Sequence, residues 1–343
     1  MTSARRYLPA LDGLRGLAAI WVFALHLLDT GGHHWTPGYL GVDLFFVLSG
    51  FVLSHAYAGG LRTVPDYRRF LHARVARIYP LHLVTLLTMA GLVVLWPAFA
   101  GTYPDPARRF GWDAFLAQLL LVQNWVHFLP TSWNAPAWSL SAEWAAYLAF
   151  PAVLFAASRG RRPFALAMGC MATMLLVLVA AGAPGGGTGA PAMVRVAFGS
   201  LAGCLVHRAY VTGVTLPPLA TTLAAATLLG IAHIPGLAML GTLAFPPLVL
   251  LCARGEGALA RLCATRLAVW VGVISYSLYL WHWIVIQVAA RTLKDAVPMG
   301  VFYAVVALIV LAVSAASHAW LEKPARLWVL QLPGARRALP ATR

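Results

Sequence analysis

The residues of this chain best placed to do chemistry are ionisable groups set inside long apolar runs, where a charge costs a few kcal/mol or more unless protein surrounds it. Asp12, Arg15 and His26 share the run at residues 10–28. On a helix, the eleven-residue step from Arg15 to His26 is three turns plus about 20°, with a rise of roughly 16 Å, so both project from one face at different depths. Asp12 stands three residues before Arg15, the spacing of a helical ion pair. A guanidinium so placed suits the oxygens of phosphate or carboxylate, and an imidazole suits general acid–base work. The plainer readings are that Arg15 reaches back to lipid headgroups and that His26 caps a helix contact.

Other groups follow the same pattern. Asp43, in GVDLFFVLSGF at 41–51, enters at the depth of His26 and could orient an imidazole or merely sit as a helix-start charge. Ser49, Gly50 and Ser54 offer a small surface for close helix packing. Arg74 and Arg77, three apart in YRRFLHARVARIYP at 67–80, point from one face and suit a ligand with several phosphates, or else anionic lipid. Trp138, Ser139, Ser141 and Glu143 lie in WNAPAWSLSAEW at 133–144, where a carboxylate must be paired or neutral. Tyr276 and His282 sit in SYSLYLWHW at 275–283, with His282 expected as a packing histidine, and Glu322 follows the last apolar run as a cap or anchor. Cys170, Cys204, Cys252 and Cys263 have no CxxC or metal-ligand spacing, so neither a disulfide framework nor a metal site is expected.

The elements that must hold these groups are helices in lipid. Of 343 residues 61% are hydrophobic and only 10% charged, against about 25% in a soluble domain. Crossing hydrocarbon takes about 20 apolar residues, and such stretches lie near 10–28, 40–57, 78–100, 137–158, 164–183, 192–210, 219–235, 236–253, 267–290 and 298–320. The fold class expected is all-α, a polytopic membrane protein of about ten transmembrane helices. The shorter run 115–127 contains Gln118, Gln123 and Asn124 and is read as peripheral or re-entrant. With it left out and the N-terminus inside, nineteen Lys/Arg fall on the inner side and four (Arg108, Arg109, Arg291, Lys294) outside. Both termini are therefore expected in the cytoplasm. One membrane domain, 1–328, is followed by a tail, 329–343, with breaker-rich turns at 183–191 and 216–218. A net charge of +15 does not indicate nucleic acid, because the arginines fall in short clusters between apolar runs.

Taken in order, LDGLRGLAAIWVFALH (11–26), GVDLFFVLSGF (41–51), RVARIYP (74–80), WSLSAEW (138–144), ISYSLYLWHW (274–283) and LEKPAR (321–326) resemble the membrane-bound acyltransferase 3 family, which includes bacterial sugar and O-antigen O-acetyltransferases. The resemblance runs from Tyr7 to about Pro324. It implies an O-acyltransferase of the bacterial cytoplasmic membrane that moves an acyl group, acetyl in the first instance, from cytoplasmic acyl-CoA to a hydroxyl of a carbohydrate, glycolipid or secondary-metabolite acceptor. Acyl-CoA is a co-substrate and no cofactor is bound permanently. The family's Arg–ten–His motif falls on Arg15 and His26, its paired arginines on Arg74 and Arg77, and its Ser-Leu-Ser-x-Glu motif on Ser139, Ser141 and Glu143. The position after that glutamate, commonly acidic in the family, is Trp144. Many members carry a C-terminal periplasmic hydrolase-like domain; none is visible before Arg343, so this chain is expected to complete transfer alone or with a partner.

On this reading Arg74, Arg77 and Arg15 hold the donor, His26 takes the acceptor proton, and Asp43 or Glu143 steadies the imidazole, with Asp12, Ser49, Trp138, Ser141, Tyr276 and His282 in support. A homodimer is compatible with it. The other class open to the sequence is a transporter of an anionic or lipid-linked solute, since intramembrane charges also mark permeation paths; no repeat symmetry or broken-helix pair is evident to favour it.

Overall fold

The computed structural model describes residues 7–32, 37–57, 61–125, 131–183 and 187–332. Arg5, Arg6 and residues 333–343 of the expected tail lie outside the described residues. Helices α1 (Pro9–Asp29), α2 (Leu40–Ala56) and α3 (Val64–Leu95) come first. Short helices α4 (Pro97–Gly101), α5 (Pro106–Arg109) and α6 (Trp112–Leu119) precede α7 (Trp138–Ser158), α8 (Pro163–Ala180), α9 (Ala190–Val211) and α10 (Pro218–Ile231). A 3₁₀ stretch, Ala238–Ala244, leads into α11 (Phe245–Arg254), followed by α12 (Gly257–Cys263), α13 (Arg266–Thr292), α14 (Met299–Ser317), a π turn at His318–Glu322, and α15 (Lys323–Gln331). There is no strand among the described residues.

Among the described residues seven helical segments are long and apolar enough to cross a membrane, or eight if the pair bent by 70° between Arg254 and Gly257 is one broken span. Length and composition do not bring the count to the expected ten: α2 and α10 are apolar but have 17 and 14 residues. The break, with Gly255 in the left-handed region at φ 75°, is also one the sequence reading did not foresee. It has no counterpart elsewhere among the described residues.

The expected span at 78–100 is displaced. A capping box starts α3 at Thr63, whose hydroxyl accepts from the Asp66 N–H at 3.2 Å while the Asp66 carboxylate accepts from the Thr63 N–H at 3.1 Å. The helix then runs 32 residues, about 48 Å at 1.5 Å each and longer than a hydrocarbon core, until Pro97 begins a new short helix. Arg74 and Arg77 thus stand on a helix rather than in a linker. Over its described residues, 115–125, the run expected at 115–127 forms no continuous helix: α6 ends at Leu119, and Leu121 turns the chain at φ 57°. Its glutamine amide nitrogens are met by protein, Gln118 Nε2 donating to the Ser132 carbonyl at 2.7 Å and Gln123 Nε2 to that of Ala137 at 2.8 Å, while the Oε1 atoms of both are buried without a partner among the described residues.

The helices form two compact units. The first comprises α1, α2, the second half of α7, α8 to α12, and α13 as far as Ser275. Small residues bring its backbones together: a Cβ on Gly203 of α9 would lie 2.0 Å from the Val47 carbonyl oxygen of α2, and one on Gly50 of α2 would lie 2.1 Å from that of Ser200. The second unit comprises α3 to α6, the first half of α7, α13 from Tyr276, α14 and α15. Leu86, Met89, Phe99, Ala114, Ala117, Trp133 and Ile284 form a core within it.

Candidate active site

In the first unit, Pro9 opens α1 and Asp12 occupies its first turn, where the helix dipole favours an acid. Arg15 Nη1 lies 2.8 Å from Asp12 Oδ1, and the Tyr7 hydroxyl donates to Asp12 Oδ2 at 2.8 Å. His26 is half-buried in the last turn, against the Val22 carbonyl, with Asp29 close enough to act on it electrostatically. Leu17 and Ile20, each 39% exposed, mark the outer side of α1, about 140–200° around the helix from Arg15. The Arg15–His26 face is thus turned inward. Between the two, Ala18, Ala19 and Val22 are buried, and α2 crosses closely enough that a Cβ on Gly41 would lie 2.6 Å from the Ala18 carbonyl oxygen.

Asp43 is committed elsewhere than the sequence reading had it. Its Oδ1 accepts from Arg195 Nε at 2.8 Å and its Oδ2 from Arg195 Nη2 at 2.7 Å, a two-pronged pair almost wholly buried. Arg195 Nη1 also donates to the Gly187 carbonyl at 2.9 Å. Sequence reasoning left Arg195 unassigned, although an arginine alone in an apolar run, with an acid in another, is itself a signal for such a pair.

The second unit gathers Arg74, Arg77, Glu143 and Tyr276. The Arg74 guanidinium lies 5.8 Å from the Phe70 ring centroid and 5.9 Å from that of Tyr147. Tyr147 donates its hydroxyl to Glu143 Oε1 at 2.6 Å. Arg74 forms no ion pair among the described residues, and its Nε is buried without a hydrogen-bond partner. Arg77, one turn on, is different: its Nη1 pairs with Glu322 Oε1, and its guanidinium lies 5.0 Å from the Tyr276 ring centroid. Glu322 is 3% exposed; its Oε2 accepts from Ser277 at 2.7 Å and lies 3.2 Å from His318 Nδ1. The Tyr276 hydroxyl donates to the Ile78 carbonyl. Glu322, Tyr147 and His318 escaped assignment to this cluster; Glu322 lies 245 residues from Arg77, and only folding joins them.

The remaining supporting residues do structural work. Ser141 Oγ accepts from the Asn124 N–H at 3.1 Å, and its carbonyl accepts from Trp125 Nε1 at 2.9 Å. Ser139 Oγ lies 2.7 Å from the Tyr279 hydroxyl. His282 is fully buried, its Nδ1 3.2 Å from the Leu278 carbonyl oxygen. Trp138 is half-buried at the start of α7, and Ser49 half-buried on α2. Among the described residues no group of three or more His, Cys, Asp or Glu side chains could hold a metal. Chemically, the second unit offers a guanidinium still open to an anion, and the first an imidazole beside a carboxylate.

The chain is 40% identical over 157 residues to Acyltransferase MdmB of Streptomyces mycarofaciens, covering 42% of this chain and 38% of that protein. It is 29% identical over 318 residues to Exopolysaccharide production protein ExoZ of Rhizobium meliloti, covering 87% of this chain and 93% of that one. It is 31% identical over 164 residues to Peptidoglycan O-acetyltransferase OatA of Listeria monocytogenes, covering 44% and 25% respectively. The matched segments make up less than two thirds of MdmB and of OatA. No solved structure matches the chain. Residues 8–318, nearly all of this multi-pass membrane protein, match the acyltransferase domain of the acyltransferase 3 type, and the chain belongs to that family.

Proposed function

We propose that the chain is an O-acyltransferase of the bacterial cytoplasmic membrane, with both termini in the cytoplasm, that moves an acetyl group from acetyl-CoA to a hydroxyl of a carbohydrate, glycolipid or secondary-metabolite acceptor. The observation that carries the donor half is Arg74: a half-buried guanidinium between aromatic rings, with a buried N–H unmet and no acid paired to it. Guanidinium forks match phosphate oxygens, so Arg74 is assigned the donor's phosphates, with Arg77 held beside it by Glu322. Glu143 keeps its assignment as a catalytic residue through its motif, and it fixes Tyr147 next to Arg74.

His26 is assigned the role of base. It takes the proton of the acceptor hydroxyl as that oxygen attacks the thioester carbonyl; the tetrahedral intermediate collapses, the C–S bond breaks, and the proton passes to the leaving thiolate. Asp29, three residues on, would stabilise the imidazolium in place of Asp43, whose oxygens both hold Arg195. Arg15 is assigned the inner portion of the donor. The relatives' names, an acyltransferase, an exopolysaccharide production protein and a peptidoglycan O-acetyltransferase, support a hydroxyl-bearing, largely saccharide acceptor.

The test is purified protein in vesicles given acetyl-labelled acetyl-CoA, with cell extracts searched by mass spectrometry for an acetylated product that is missing without the protein. Thiol release with label transferred supports the reading. Solute flux without donor, and no thioester turnover, would replace it with the transporter.

A further inference from the structure

A second arginine group lies at the far end of the second unit, beyond the C-terminal end of α3. Arg109, closing α5, lies 4.5 Å from the Tyr103 ring centroid, and Arg291, in the last turn of α13, lies 4.9 Å from the same centroid. The two guanidinium carbons are therefore at most about 9.4 Å apart, inside a Debye length at ordinary salt. Neither forms an ion pair among the described residues. Arg291 is held: its Nη1 donates to the Gln287 carbonyl at 2.7 Å and side-chain oxygen at 2.8 Å, and its Nε to Thr102 Oγ at 3.1 Å. Arg109 is half-buried yet makes no side-chain hydrogen bond, and its Nε is sealed from solvent without a partner.

A buried donor left unmet costs about 1–3 kcal/mol, more for a charged group, and two like charges set on one ring repel. Burial pulls the pKa of Arg109 down, Tyr103 opposes this, and the charge of Arg291 adds a smaller lowering. Around it the ring of Phe110 lies 5.3 Å from those of Tyr103 and Trp133. Flat apolar rings beside anion-binding donors fit the face and the acidic substituent of a sugar. Along α13, Arg291 is fifteen residues, about 22 Å, from Tyr276, so this group is distinct from the Arg74–Arg77 cluster.

We propose that Arg109 and Arg291, both set against the ring of Tyr103, form a binding site for an anionic oxygen group, a carboxylate or phosphate, carried by the acceptor or by a lipid headgroup. The acceptor half of this proposal rests on the O-acyltransferase reading; the anion site does not.

The test uses the full chain in nanodiscs of neutral phosphatidylcholine, titrated with D-glucuronate, inorganic phosphate and D-glucose. Both anions should bind, and glucose roughly tenfold more weakly or not at all. Arg109→Gln should weaken anion binding about tenfold, which corresponds to 1.4 kcal/mol, and Arg109→Lys less. Arg291→Gln is the second variant should Arg109→Gln misfold. Anion binding unchanged in both, or equal binding of glucose, would overturn the site. Adding phosphatidylglycerol to the discs separates the sources. Competition with glucuronate that is lost in Arg109→Gln assigns the anion to a headgroup, and its absence assigns it to a soluble acceptor. Thioester turnover is measured on the same wild-type discs. If turnover is absent while anions bind, the acyltransferase reading fails and the site stands.

Discussion

Arg74 and Arg77 sit one turn apart in one motif, but the structure predicts that replacing them has opposite consequences. Arg74 is held by aromatic rings alone, contacts worth about 0.5–1 kcal/mol each at partly exposed sites. Arg74→Ala should therefore leave folding nearly intact. It removes a charged donor fork from an incoming phosphate, worth about 1.5–3 kcal/mol, so the KM for acetyl-CoA should rise roughly tenfold to 150-fold. Arg77→Ala instead leaves Glu322, 3% exposed, without its cation. Breaking a buried pair from one side costs about 3–5 kcal/mol, and Ser277 and His318 at 2.7 and 3.2 Å offset part of it. This variant should lose thermal stability, and Arg77→Ala with Glu322→Gln should recover much of it. The assay is initial-rate thiol release against acetyl-CoA concentration, with thermal unfolding followed in the same detergent. An Arg74→Ala protein that unfolds early at unchanged KM, or an Arg77→Ala protein of normal stability and raised KM, would refute the division.

Three further outcomes are expected. His26→Ala should lower transfer on the order of 10² to 10⁴-fold with the protein still inserted, and near-normal turnover would remove His26 from the mechanism. Asp43→Ala should cost about 3–5 kcal/mol because Arg195 is left buried and charged; Asp43→Leu with Arg195→Met should be far milder, as a double-mutant unfolding cycle would measure. Gly50→Val should separate α2 from α9, since its Cβ would meet the Ser200 backbone at 2.1 Å; an expression level and unfolding midpoint equal to wild type would contradict that packing.

The helical character, the non-spanning run 115–127 and the Asp12–Arg15 pair are local properties, and so could be read from residue spacing. The helix α3 begins at its Thr63–Asp66 cap, well before the span expected at 78–100, because charged residues bound the part of a helix that lies in the membrane without ending the helix. Partnership was not legible. Asp43 is expected beside the imidazole of His26, but it meets Arg195 because α2 and α9 approach through Gly50, Gly199 and Gly203 closely enough to let the guanidinium grip both oxygens. Nothing in one dimension ties Glu322 to Arg77.

Those partnerships make the charge distribution informative. The chain has 25 basic and 10 acidic residues, so most cations must do without an acid, and where they sit decides what that costs. In the first unit Arg15 and Arg195, the cations deep in apolar helices, each have an aspartate. In the second, Arg77 has Glu322, while Arg74 and Arg109 have aromatic rings and an unmet N–H. An exposed arginine without an acid is solvated, but a half-buried one stores a desolvation cost that an anion relieves, so binding there gains both the Coulomb attraction and the hydrogen bonds the protein withholds. Arg208 of the first unit also has a buried Nε unmet, but its Nη1 donates to the Ser158 carbonyl; Arg74 and Arg109, with no side-chain hydrogen bond among the described residues, stand in the second unit at the N-terminal part of α3 and beyond its C-terminal end. With both sites occupied as proposed, a phosphate-bearing donor and an acidic ligand would lie at separate ends of the second unit.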